Sequence, residues 1–149
     1  MLQAFDERNR DLIVNINGAL VHRDQAGVSP FDSSVQGGDA VWEGLRLYNG
    51  RNIRLTLTRG VKITSGMDPR LNQAGPTLIV LAEHKPPVYD QGGITLITCA
   101  IRRPAPDCLD PRIHHCDLIP SILAKIQANA AGADTYADGL PFSDLGAAY

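Results

Sequence analysis

The dipeptide Asn17-Gly18, set between two β-rich runs in "DLIVNINGALVHRD", limits what this chain can fold into more than any other feature. Both residues accept positive φ, as a two-residue hairpin turn demands, so residues 12–16 and 19–23 are predicted to pair antiparallel. Further on, "NIRLTLTRG" alternates cleanly: Ile53, Leu55 and Leu57 face one way, Arg54, Thr56 and Thr58 the other. Its polar face, headed by an arginine, is either a solvated sheet surface or the wall of a pocket. Two nearly all-apolar runs, "PTLIVLAEHKPP" and "GGITLITCAIRRP", read as strands covered on both faces. "RLYNGR" reads as a strand entering a second Asn-Gly turn at Asn49-Gly50.

Between these runs the signal is weaker. "VSPFDSSVQGGD" reads as a polar loop, residues 39–45 as a short helix or irregular turn, and "GVKITSGMDPRLNQAG" as a loop. The last clear element is a helix in "RIHHCDLIPSILAKIQAN". Asp117 is its expected cap, and Pro120 sits in the first turn, where a missing N–H costs nothing. Ile119, Ile122, Leu123 and Ile126 make an apolar stripe, and Gly132 is the expected stop. The tail "TYADGLPFSDLGAAY" shows neither helical nor strand periodicity. Strands followed by one helix give an α+β class, a mostly antiparallel sheet with few helices.

Composition excludes several function classes. With 44% apolar and 20% charged residues, the 149-residue chain is globular rather than disordered. A net charge of -2 gives no footprint for nucleic acid or an anionic membrane. The charged start "MLQAFDERNR" does not read as a signal peptide, and no apolar run is long enough to span a bilayer. Three cysteines without framework spacing fit a reducing compartment, so the expected location is cytoplasmic.

Several stretches together, "GGDAVWEGLRLYNG", "IRLTLTRG" and "LIPSILAKIQANAAGAD", make the chain resemble the class IV (fold type IV) pyridoxal-phosphate aminotransferases. The branched-chain amino acid aminotransferases look nearest, through "VWEGLR" and the arginine of "NIRL". The resemblance spans residues 11–134. It implies amino-group transfer from a branched-chain amino acid to 2-oxoglutarate, with pyridoxal phosphate held by a lysine as a Schiff base. It also implies amino-acid and 2-oxo-acid substrates and a homodimer. Residues 1–111 then correspond to the N-terminal small domain, and residues 112–149 to the first helix of the second domain plus a divergent tail.

On the substrate side, the resemblance places Trp42 where the family has an aromatic pocket lining. Arg46 takes the place of the arginine of the "EGIR"-like stretch, and Arg54 that of a pocket arginine suited to a carboxylate. Three departures accompany this. His114 falls in the lysine slot, with Ile113 the alternative if the register moves by one, and neither carries a primary amine. "YNGR" joins "NIRL" directly, so the helices and phosphate-gripping arginine of the family are missing after Arg51. After "AGAD" the family's further strand and second domain do not follow. The chain is therefore expected to be inactive alone. It is either a shortened aminotransferase relative or a non-catalytic binding or dimerisation module, with lysine-free chemistry by His114 or His115 a third reading.

The bland reading of the His114-His115-Cys116 run is a solvated loop or helix-entry segment, weighed against a zinc site or a nucleophile. As a zinc site it lacks a CxxC pair, and Asp107 and Cys108 would join only by coincidence of folding. Cys116 as a nucleophile lacks an orienting third group. By default Trp42 is a core anchor, Arg54 a solvated strand residue, and Arg46 and Arg59 structural or surface residues.

Overall fold

In the computed structural model, residues 4–47, 50–86 and 92–137 are described. They fall into two compact units, one comprising residues up to Pro86 plus His114–Cys116, the other Pro87–Ile113 and the residues from Asp117 onward.

The first unit is an antiparallel sheet. β1 (Ile13–Ile16) and β2 (Ala19–His22) form the expected hairpin, with φ of 52° at Asn17 and 89° at Gly18. α1 (Ser33–Gly37) follows, then β3 (Ala40–Leu47), β4 (Arg51–Thr58) and β5 (Thr77–His84). The strand order is β2-β1-β5-β4-β3. The second Asn-Gly turn lies partly outside the described residues, since Asn49 is not among them; Gly50 has φ 78°.

Two expectations are corrected here. Residues 39–45 form neither a helix nor an irregular turn: Ala40–Leu47 is a strand, paired residue for residue with Arg51–Thr58. Its sequence mixes apolar and polar groups on both faces, so no period-2 signal marks it, and pairing with β4 decides its state. The "VSPFDSSVQGGD" loop contains the short helix α1. Asp32 caps it by accepting a hydrogen bond from the Ser34 N–H, and Gly38 closes it in the left-handed region at φ 70°.

The buried centre of this unit is polar. Asp32 is fully buried and accepts hydrogen bonds from the hydroxyls of Thr58 (3.0 Å) and Thr77 (2.8 Å) and from Ser34 N and Oγ (2.9 and 2.7 Å). Burial alone would push its carboxyl up, but these bonds outweigh that and hold it below the ordinary value. The asymmetry of the sheet is the other main feature. Register places Val41, Leu45, Leu47, Leu57, Leu78 and Ile13 on one face, and each is 39 to 49% exposed. β5 is therefore not covered on both faces as its apolar sequence suggests, because no described element of this unit packs over that side.

The second unit is a β-α-β crossover. β6 (Leu96–Thr98) and β7 (Thr135–Ala137) pair in parallel, joined through α2 (Ile119–Ala130). The tail thus does begin as a strand; residues 138–149 lie outside the described ones. Nor is "GGITLITCAIRRP" a long covered strand: only three residues pair, and Leu96 is exposed. α2 has Pro120 in its first turn and ends before Gly132 at φ 71°, as expected. Asp117 is not its cap: Leu118 holds that position without a side-chain bond.

The Ile119-Ile122-Leu123-Ile126 stripe is exposed rather than buried, while Ala124 and Ala128 are buried. Alanines at i and i+4 let the helix approach β7 closely, and the large side chains are turned outward.

Candidate functional site

Residues 114–116 belong to the first unit, where they extend the sheet along the free edge of β3. The Trp42 N–H donates to the His114 carbonyl at 2.7 Å, and the Cys116 N–H to Ala40 O at 2.9 Å. Val41 bridges antiparallel to His115, so Trp42 and His114 stand side by side on one face. Their rings stack with centroids 4.9 Å apart and an interplanar angle of 17°. The indole Nε1 donates to the His115 carbonyl at 3.2 Å, and His114 Nδ1 lies 3.2 Å from Glu43 Oε1.

Arg54 joins this group from β4. It pairs with Gly44, and the absence of a side chain there leaves room beside the indole. Its guanidinium carbon lies 4.2 Å from the centre of the Trp42 ring. The side chain is exposed and has no carboxylate partner among the described residues, so its fork is open to an anion. The polar face of β4 is graded, exposed at Arg54, half-buried at Thr56 and buried at Thr58. Its inner end is anchored in Asp32 through Thr58, while its outer end at Arg54 is open to solvent.

The structure brings together Trp42, Arg54 and His114 but leaves Arg46 apart. Arg46 lies on the same side of the sheet, four residues along β3 from Trp42, or roughly 13 Å at the usual rise per residue. It is exposed and paired in register with Asn52. Arg59 clips Asp39 at 2.5 Å, a structural role. Glu43 was not singled out in the sequence, where nothing foretold that residues 114–116 would run beside it.

The nucleophile reading of Cys116 weakens. Burial pushes its thiol up, opposed by the nearby Arg54 charge, and its backbone is part of a sheet edge. Among the described residues no group of three or more His, Cys, Asp or Glu is placed to hold a metal ion. No described helix is long and apolar enough to cross a membrane.

The three lysines of the chain are all elsewhere. Lys62 is buried and its Nζ donates to Gly66 O at 2.6 Å. Lys125, on α2, donates to the carbonyl of Asp134. Lys85 follows β5 at the end away from Thr77.

No family model matches the chain. Among curated proteins it is 42% identical, over 85% of its length, to branched-chain-amino-acid aminotransferase-like protein 2 of Arabidopsis thaliana, and 41% identical over 84% to that plant's protein 1. It is 31% identical over 81% of its length to a putative branched-chain-amino-acid aminotransferase of Methanocaldococcus jannaschii. The chain spans about a third of the length of the plant relatives (31%) and 57% of the archaeal one. The match to protein 2 runs over 173 residues, more than the 149 of the whole chain, so that relative holds residues this chain lacks within the matched stretch.

Solved structures agree in fold. Branched-chain aminotransferases of Thermoproteus uzoniensis and Escherichia coli each superpose with a TM-score of 0.71 at 15% identity. They cover 84 and 85% of this chain and 58 and 59% of theirs. Over the part that they share, the chain is a homologue of the branched-chain-amino-acid-aminotransferase-like proteins and carries the fold of the fold type IV aminotransferases.

Proposed function

We propose that this chain keeps the substrate-side wall of a branched-chain aminotransferase and, by itself, lacks the means to transaminate. The observation that carries this reading is the stack of Arg54, Trp42 and His114. Arg54 offers a planar fork to the carboxylate of an amino or 2-oxo acid. Trp42 supplies an apolar surface for a branched side chain and holds Arg54 in place. Arg46, farther along the same face, lies at the margin of this wall.

Pyridoxal phosphate does not fit the residues present. The resemblance sets the reactive lysine at His114, and an imidazole has no primary amine with which to condense. The buried Lys62 and the α2 residue Lys125 both have their amines engaged by carbonyls. By the resemblance, the stretch that carries the family's phosphate-gripping arginine is missing where Arg51 joins Asn52. The domain reading stays with this proposal: residues 1–111 as the small domain, 112–149 as the start of the next. The longer match in the plant relative fits an internal gap, which the resemblance puts after Arg51.

The test has two arms. In the first, the chain is mixed with pyridoxal phosphate, reduced with borohydride and mapped by mass spectrometry; no adduct is expected, and one on a lysine at stoichiometric yield refutes the incompetence. In the second, a branched-chain 2-oxo acid is titrated while the fluorescence of Trp42, the single tryptophan, is followed. A saturable response that Arg54→Met abolishes is expected, and a response unchanged by Arg54→Met refutes the carboxylate role.

A second reading, a homodimerisation module, draws on the exposed apolar face of β3, β4 and β5. Sedimentation that reports a monomer at all concentrations counts against it.

A further inference from the structure

We infer that a second ligand site, for a free α-amino acid with an apolar side chain, lies between the N-terminal segment and β5. A half-open cleft of about 370 Å³ lies there, within the size range of small-molecule sites. Leu12, Val14 and Leu81 give it an apolar floor, and Arg23, Glu83 and Lys85 line its polar part.

The walls are fixed before any ligand arrives. Asn9, which is buried, donates through Nδ2 to the His84 carbonyl and accepts from the His84 N–H, both at 2.7 Å. This staples the 3-10 turn Glu7–Asn9 to the end of β5. Arg23 is held as well. Its Nη1 donates to Asn9 O at 2.7 Å, its guanidinium lies 5.1 Å from the Phe5 ring centre, and its Nε is 3.5 Å from Asp24. A side chain already ordered loses less entropy when it takes up a carboxylate.

The two carboxylates at the cavity differ in commitment. Asp6 is taken by Arg8, whose side chain bonds it at 2.6 Å and holds its pKa down at about 2. Glu83 is half-buried and has no hydrogen-bond or ion-pair partner among the described residues. A half-buried carboxylate that no described residue bonds is open to an ammonium ion, in competition with the Lys85 amine that lines the same cleft. Two cations, Arg23 and Lys85, the carboxylate of Glu83 and an apolar floor match the carboxylate, amine and side chain of a leucine-like molecule. The site is separate from the Trp42 wall, although Leu81 and Arg54 are register partners on the same face.

The experiment is an NMR titration of the full chain with L-leucine, with isoamylamine (amine only) and with isocaproate (carboxylate only). Saturable shifts of the Leu12, Val14 and Leu81 methyls are expected with leucine, at least tenfold weaker with either half-ligand. Glu83→Gln, nearly isosteric, is expected to weaken leucine binding about tenfold with unchanged amide dispersion, and Arg23→Lys to weaken it similarly.

Arg54→Met is expected to leave these shifts in place. A Trp42 response to the 2-oxo acid that Arg54→Met leaves unchanged therefore refutes the proposed substrate wall and not this site. No shift at saturating leucine overturns the inference, as does leucine binding that Glu83→Gln leaves unchanged. So does isoamylamine binding as tightly as leucine, which would make the ligand a simple amine.

Discussion

Replacing Asp32 tests whether the first unit is organised around one buried carboxylate. Four donors converge on it, two from Ser34 and one each from Thr58 and Thr77. Hydrogen bonds to a charged acceptor contribute about 1.5–3 kcal/mol each. Asp32→Ala removes them, deletes the cap of α1 and leaves two buried threonine hydroxyls without that acceptor. Relief of the cost of burying a charge offsets part of the loss. A net destabilisation of about 4 kcal/mol results, a large share of the roughly 5–15 kcal/mol typical of a folded domain. Asp32→Asn keeps the shape and one acceptor, and is expected to cost about 1–2 kcal/mol.

The pH dependence separates the charge from the shape. The folded carboxyl sits below its ordinary value, so its contribution is fully present above about pH 4 and is lost as pH falls toward the folded pKa. Urea unfolding at neutral pH and on acidification measures both effects. The stability gap between wild type and Asp32→Asn should narrow as pH drops below about 4. A cost below about 1 kcal/mol for Asp32→Ala, or a gap that widens in acid, refutes the reasoning.

Gly60→Ala should destabilise by about 3 kcal/mol or more in the same assay, because φ is +102° and the new Cβ would meet the Gly75 carbonyl oxygen at 1.8 Å. A cost under 1 kcal/mol would mean the chain near Gly75 yields freely. Leu57→Lys, on the bare sheet face, should cost little stability and lower self-association in sedimentation; unaltered association removes that face from consideration. His114→Lys should fold with a loss of no more than about 1 kcal/mol, the worth of its stack on Trp42, as read by thermal unfolding. A collapse in stability would show that the imidazole is structural.

What could be read from the sequence was whatever short-range chemistry decides. Asn17-Gly18 dictates a turn through φ, the alternation around Arg54 dictates a strand, and Pro120 and Gly132 bracket a helix. What could not be read depends on partners distant in the chain. β3 has no clean alternation and becomes a strand because β4 pairs with it along its whole length. The α2 stripe predicts a buried face, yet it is Ala124 and Ala128 that are buried, small side chains that let the helix approach β7. Trp42 and Arg54 were identifiable as candidates by resemblance, but their contact and the place of His114 beside them depend on sheet register. Glu43 and Asp32 act through neighbours dozens of residues away, and no local pattern marks them.

If Trp42 and Arg54 form the proposed substrate wall, the edge strand at 114–116 shows how such a wall could persist without a lysine beside it. Its attachment to β3 runs through backbone groups: Trp42 N to His114 O and Cys116 N to Ala40 O. Backbone bonds are indifferent to the side chain they carry, so exchange of an amine for an imidazole at His114 leaves the edge in place. The indole meanwhile gains a stacking partner on one side and keeps the guanidinium of Arg54 on its ring. In the proposed reading, affinity for a carboxylate would rest on Arg54 and Trp42, whereas covalent capture of an aldehyde would need one side-chain nitrogen. The two properties would be carried by different parts of the same few residues, so losing the second would impose no structural penalty on the first.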